Sequence, residues 1–191
     1  MSAPATSNPL LQTRPASLEE LRELAAAGRL YAVIDACDTP VVPEKARELG
    51  ETRAVSLYRG TADEQYWAFA PYLFAVDGDL LDWIAADLWT EPWGIFAVAD
   101  GDIEAVRRHF RRFLLVQAPD GEQWYFRFYD PRVLSTFLPS CSQIQLNDLF
   151  SDVAGYICTD STGELLFLSL AEGSSSRKPP MRIRIWPQRG R

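Results

Sequence analysis

The sequence predicts an α/β protein: a mixed β-sheet flanked by helices, in a single main domain with a short basic C-terminal tail. Three observations lead there. Through residue 115, short apolar runs of strand length alternate with segments whose apolar residues recur at helical spacing. Two hairpin patterns then follow, which a purely parallel sheet does not contain. The 191-residue chain is 47% hydrophobic and 12% aromatic, enough for a packed core without disulfide or metal staples.

Residues 1–16, rich in Pro, Ser, Ala and Thr, read as a disordered lead. The main domain is expected over 17–171. Ser17 and Glu20 have capping-box spacing and open a helix from Leu18 to about Ala27, stopped by Gly28. Tyr31–Ala36 is almost continuously apolar, a strand buried on both faces. Glu44–Leu49 is a helix ended by Gly50, Ala54–Tyr58 a strand, and Asp63–Phe69 a helix halted by Pro71. Tyr72–Val76 is a strand running into the turn Asp77-Gly78-Asp79, before a helix over Leu80–Leu88. Trp93–Ala99 is a strand ending in a second Asp-Gly-Asp turn.

Ile103–Phe113 is the most clearly amphipathic segment. Ile103, Val106, Phe110, Phe113 and Leu114 share one stripe, and Arg107, Arg108, Arg111 and Arg112 fill the other side. A strand over Leu114–Gln117 turns at Pro119-Asp120-Gly121 into a central strand over Trp124–Tyr129. In that strand Trp124, Phe126 and Phe128 alternate with Tyr125, Arg127 and Tyr129. Asp130-Pro131 ends it. Asp130 is a good N-cap and Pro131 suits the first turn of a helix running from Arg132 to Phe137. Arg127 needs a partner, either Asp130, another carboxylate or solvent. A second short helix around Ser142–Phe150 follows. Val153–Thr159 and Glu164–Leu170 form a hairpin around Ser161-Thr162-Gly163. Residues 172–191 read as a linker and a basic tail, in which Met181–Trp186 is either a strand or a disordered arm.

Composition narrows the function. Arg177–Arg191 holds six basic residues and no acidic one, so the rest is more acidic than the net −7 of the whole. Such a body repels nucleic acid, and binding to it by the main domain is not expected. No apolar run approaches the roughly 18 residues of a membrane span, and no signal-peptide pattern opens the chain. Three widely spaced cysteines, Cys37, Cys141 and Cys158, fit a reducing cytoplasm and no zinc spacing.

Catalytic chemistry finds little support. The single histidine, His109, lies among arginines beside the apolar stripe and reads as a half-buried helix residue. Cys141 is a weak nucleophile candidate. The acidic groups Asp35/Asp38, Asp77/Asp79/Asp82 and Asp100/Asp102 look like turns and caps, although hard cations favour such clusters. Neither GxGxxG nor GxxxxGK[ST] is present. The four-arginine helix face and six tryptophans, by contrast, supply the residue types that anchor protein interfaces.

FRFYDPRVLSTFLP at 126–139, preceded by RRHFRRFLLV at 107–116, closely resembles the bacterial type VI secretion effector-adaptor chaperones. Tyr31–Ala36, Ser56-Leu57-Tyr58 with Gly60, Ala70–Leu73 and Trp93–Phe96 occur in that family's order, over roughly residues 30–170. The resemblance implies a cytoplasmic adaptor that binds a specific effector toxin and helps load it onto the VgrG spike. It also implies no enzymatic activity, no cofactor and a monomer before cargo binds. The expected interaction residues are Arg107, Arg108, Arg111 and Arg112 with Arg127, Asp130 and Arg132. The alternative for the last three is a structural role, with Asp130 as an N-cap and Arg127 as its partner. The region after about residue 170 is shorter and more basic than the C-terminal lobe of longer relatives. The alternatives are a cryptic hydrolase, which needs Cys141, His109 or the Asp clusters to converge, and a regulatory module whose basic tail binds an anionic partner.

Overall fold

Among the described residues, nine short strands and the helices between them build a three-layer α/β/α arrangement. The computed structural model describes residues 8–37, 39–89, 92–117 and 121–171. The Pro119-Asp120 part of the expected turn, the linker and the basic tail with Met181–Trp186 lie outside the described residues. The strands of the main sheet are β1 (Leu11–Pro15), β2 (Leu30–Asp35), β3 (Ala54–Ser56), β4 (Pro71–Ala75), β5 (Gly94–Val98), β8 (Gly155–Thr159) and β9 (Leu165–Leu170). Their order is β1-β9-β8-β5-β2-β4-β3, and each described pairing is antiparallel. A separate hairpin joins β6 (Leu115–Gln117) to β7 (Gln123–Tyr125).

Period-two alternation sends side chains to two helical layers. On one face, Tyr31 and Val33 of β2, Leu73 of β4, Ile95 and Ala97 of β5 and Tyr156 of β8 are buried. They pack beneath α5 (Ile103–Arg111), α6 (Pro131–Phe137) and α7 (Gln143–Leu149) through Val106, Phe110, Leu134, Leu146 and Leu149. On the other face, Ala32, Ile34, Phe74, Phe96 and Val98 meet α1 (Leu18–Ala26), α2 (Val41–Leu49) and α4 (Gly78–Asp87) through Leu21, Val42, Leu81 and Ile84. The central strands β2, β4 and β5 are therefore covered on both sides, which is why they read as continuous apolar runs. At the β2–β5 pairing Gly94 lies against β2 so closely that a methyl group would collide with the Val33 carbonyl. The remaining helix is α3 (Thr61–Tyr66), continued by a tight turn over Trp67–Phe69.

The caps come out largely as their residue types dictate. Ser17 accepts from the Glu20 amide (3.1 Å), Asp77 from Leu80 (3.0 Å) and Asp102 from Ala105 (2.7 Å). The Asp-Gly-Asp turns are thus caps, one using its first aspartate and the other its last. Glu20 does not complete a box with Ser17; its carboxylate binds Arg14 instead. A full capping box occurs at Ser142 and Gln145.

Two expectations are corrected. Residues 11–15 of the expected disordered lead form β1, paired with β9 from Leu11↔Leu170 to Pro15↔Leu166. The lead is tied down by Asn8, which donates to the Cys141 carbonyl (2.9 Å), and by Arg14, 4.4 Å over the Phe167 ring. These partners are so remote in sequence that local composition carries no trace of them. The expected central strand over Trp124–Tyr129 is only the edge-like β7. The Phe126 amide still bonds the Leu114 carbonyl (2.9 Å), but Asp130 N–H then turns back onto Arg127 O (3.1 Å). The turn buries the consecutive residues Phe128 and Tyr129 together, where alternation along a strand covered on one face would turn one of them outward. Among the described residues, no helix is long and apolar enough to cross a membrane.

Candidate partner-binding site

The carboxyl ends of β2 and β3 point the same way, because each is antiparallel to β4 between them. Asp35 leaves one end and Leu57-Tyr58-Arg59 the other. α5 lies over this end of the sheet and is fastened to it by two of its arginines. Arg107 Nη2 donates to the Tyr58 carbonyl (3.1 Å) and its Nη1 to Glu104 (3.2 Å). Arg111 donates to the Leu57 carbonyl. Arg59 joins the group through Glu104 (3.3 Å). Burial, then the positive charges of Arg59 and Arg107, hold the Arg111 guanidinium below its ordinary value.

The four α5 arginines therefore do not make the single solvated face expected. Arg107 and Arg111 brace the backbone after β3. Arg112 turns towards the loop before β8, donating to Ser151 Oγ (2.8 Å) and Asp152 Oδ2 (3.0 Å). Arg108 is exposed and forms no ion pair with a described residue. A helix spreads residues one apart by about 100°, so four arginines within six positions serve three directions.

The corner at 126–132 also separates into two pairs. Asp130 caps α6 by accepting from the Arg132 amide (2.9 Å), and the Arg132 side chain holds the same carboxylate at 2.6 Å. Burial alone would raise the Asp130 carboxyl, but these bonds outweigh it and keep it below the usual carboxylate range. Arg127 is not the partner of Asp130. It reaches across to Asp35 at the end of β2. The corner packs on α5 by stacking Phe128 on Phe110, with centroids 5.3 Å apart.

Between these groups runs a strip of phenols. The Tyr58 ring meets Tyr125 edge-on at 6.1 Å, and the Tyr125 hydroxyl lies 3.2 Å from that of Tyr129, over which Arg127 sits at 6.0 Å. Tyr125 is 41% exposed although its hydroxyl is turned inward. Beside it on the hairpin, Leu115 is 55% and Trp124 53% exposed. Leu115 and Tyr125 are cross-strand partners and share a face. Of the other tryptophans, Trp93 is core, Trp83 and Trp89 pack against it, and Trp67 is exposed beneath Arg47 at 3.8 Å.

The candidate catalytic side chains His109 and Cys141 each have partners within the fold. His109 is fully buried rather than half-buried. Its Nδ1 lies 3.0 Å from Asp152 and 2.8 Å from Arg112, and burial pushes its pKa down to about 4. The Cys141 thiol donates to the Phe137 carbonyl (3.4 Å), and burial pushes its pKa up to about 12. Asp35, Asp77, Asp82 and Asp100 each pair with an arginine. Among the described residues no group of three or more His, Cys, Asp or Glu is placed to hold a metal ion.

Sequence reasoning missed Leu115, Tyr125 and Arg59 as surface residues of this strip. The available signal was a three-residue strand pair too short to bury both its faces. The strip lies within a recognised family region. The family model described as "Domain of unknown function (DUF4123)" matches residues 30–148, more than half of the chain, and the chain belongs to this family. That family is generally linked to type VI secretion effector adaptors. The match runs from β2 through nearly all of α7 and leaves β1, β8 and β9 outside. No curated protein and no solved structure matches the chain.

Proposed function

We propose that this protein is a type VI secretion adaptor and chaperone: it binds a specific effector toxin, keeps it competent for export and helps load it onto the VgrG spike. The observation that carries the reading is the family match across β2–α7, the part of the chain that builds the exposed aromatic strip. The chemistry of the strip supports it. Exposed aromatic and aliphatic groups shield an apolar segment of a client, while arginines around them fix its orientation. The work is non-covalent, with no substrate turned over and no cofactor. It takes place in the cytoplasm, before the spike is fired, and the adaptor is a monomer until cargo binds.

The test is export. Deleting the gene from its host is expected to remove one toxin from the secreted fraction and lower its cellular level, with other spike-dependent secretion intact. Unchanged secretion and stability of every effector would overturn the proposal.

A further inference from the structure

Tyr125 links the β6–β7 hairpin to a group of arginines beside it. Tyr125 of β7 touches Tyr58, whose carbonyl Arg107 holds, and the adjacent Leu57 carbonyl is held by Arg111. Arg59 follows in the chain and shares Glu104 with Arg107. On the hairpin side, Leu115 and Tyr125 expose apolar surface on the face they share, while Trp124 is exposed on the other face of the same two three-residue strands. On the other side, three guanidinium groups are crowded together; Glu104 hydrogen-bonds to Arg59 and Arg107, and the Asp63 carboxylate acts on Arg111 through its charge. The chain as a whole carries −7. A cationic cluster bordering exposed aromatics is thus a local reversal of the protein's net charge, and a negative partner group is drawn there.

We infer that Leu115 and Tyr125, with Arg59, Arg107 and Arg111, dock a segment of the effector that carries large apolar side chains next to carboxylates. This rests on the adaptor reading and adds the partner's chemistry to it. The apolar groups cover the hairpin, and the carboxylates meet the cations at the Tyr58 end. Arg107 and Arg111 also brace the fold, so Arg59, exposed and held only through Glu104, is the cation through which binding is best tested.

The experiment uses the full chain, tagged, and the effector it captures from its host. Overlapping 20-residue peptides spanning that effector serve as the probe. Wild type is compared with Arg59→Glu and Leu115→Ser. Arg108→Glu, a charge reversal on α5 outside the cluster, and Ile144→Ser, which removes an exposed apolar group on α7, are the controls. Thermal melts establish that each variant is folded. The expected result is binding by peptides that combine apolar and acidic residues. It should weaken at least about tenfold in each strip variant and fall with salt for wild type, with both controls unchanged. Benzoylphenylalanine at position 115 should crosslink the same segment, and at 144 should not. Binding by basic peptides, or equal binding by folded strip variants, would overturn the inference while leaving the adaptor reading intact. So would self-association of wild type abolished by the same substitutions, since the occupant would then be a second copy. If wild type captures no effector, the adaptor reading fails and this inference with it.

Discussion

Lowering the pH from 7.5 to 5 should destabilise this protein through one side chain. His109 is the only histidine in the chain, it is 1% exposed, and its pKa in the fold is about 4 against an ordinary 6.5. Burial is the main cause, aided by Arg112 and opposed by Asp152. In the unfolded chain the imidazole takes up a proton as pH falls through 6.5, whereas the folded protein refuses it until about 4. The unfolded state thus binds more protons throughout that window, and stability falls with pH. At pH 7.5 the contribution is negligible. By pH 5 it reaches about 2 kcal/mol, and by pH 4 about 3 kcal/mol, at 1.36 kcal/mol per pKa unit. For a chain of this size, 2 kcal/mol lowers the melting temperature by about 4–8 °C. Thermal or urea melts at half-unit pH steps provide the assay, with His109→Gln as the control that flattens the slope. The imidazole proton resonances, from one residue only, give the pKa directly. A ring titrating near 6.5, or a melting temperature flat between pH 7.5 and 5, would refute the reasoning.

Other substitutions sort structural residues from surface ones. Asp130→Ala should cost about 1–2 kcal/mol by removing the α6 cap. Asp130→Asn, which keeps a capping oxygen, should cost less than half as much, as urea melts will measure. Phe128→Ala should cost about 3–5 kcal/mol, because a fully buried ring stacked on Phe110 leaves a cavity between the corner and α5. Gly94→Ala should reduce stability by about 1–3 kcal/mol or prevent folding, since the added methyl meets the Val33 carbonyl of the paired strand. Arg108→Glu should change stability by less than about 0.5 kcal/mol. Arg112→Ala, by contrast, should raise the His109 pKa from about 4, seen in the same imidazole resonances.

Much of the fold was legible because local chemistry and burial agreed. β2, β4 and β5 are covered on both faces, so their sequences are apolar enough to read as strands without knowing their neighbours. The helices announced themselves through caps at Ser17, Asp77, Asp102 and Asp130. What local pattern could not carry was pairing between distant segments. β1 is polar and takes its strand pairing from β9, far away in the sequence. Arg127 finds Asp35, which is 92 positions away, rather than the nearer Asp130. The corner after β7 defeats alternation because Phe128 and Tyr129 are both pulled inward, one by Phe110 and the other beside the Tyr125 hydroxyl. The arginines of α5 were visible as a charged face, but their division between backbone carbonyls, the Ser151-Asp152 loop and solvent is a tertiary fact. The same holds for the exposed hairpin, whose aromatics would read as core in a longer strand.

The most direct test of the adaptor account is affinity capture of the tagged protein from its own host under secretion-active conditions, followed by mass spectrometry. The account predicts recovery of one large toxin-like protein, with or without the spike protein, and its loss from a host lacking that toxin's gene. Recovery of no effector while secretion is active would contradict it.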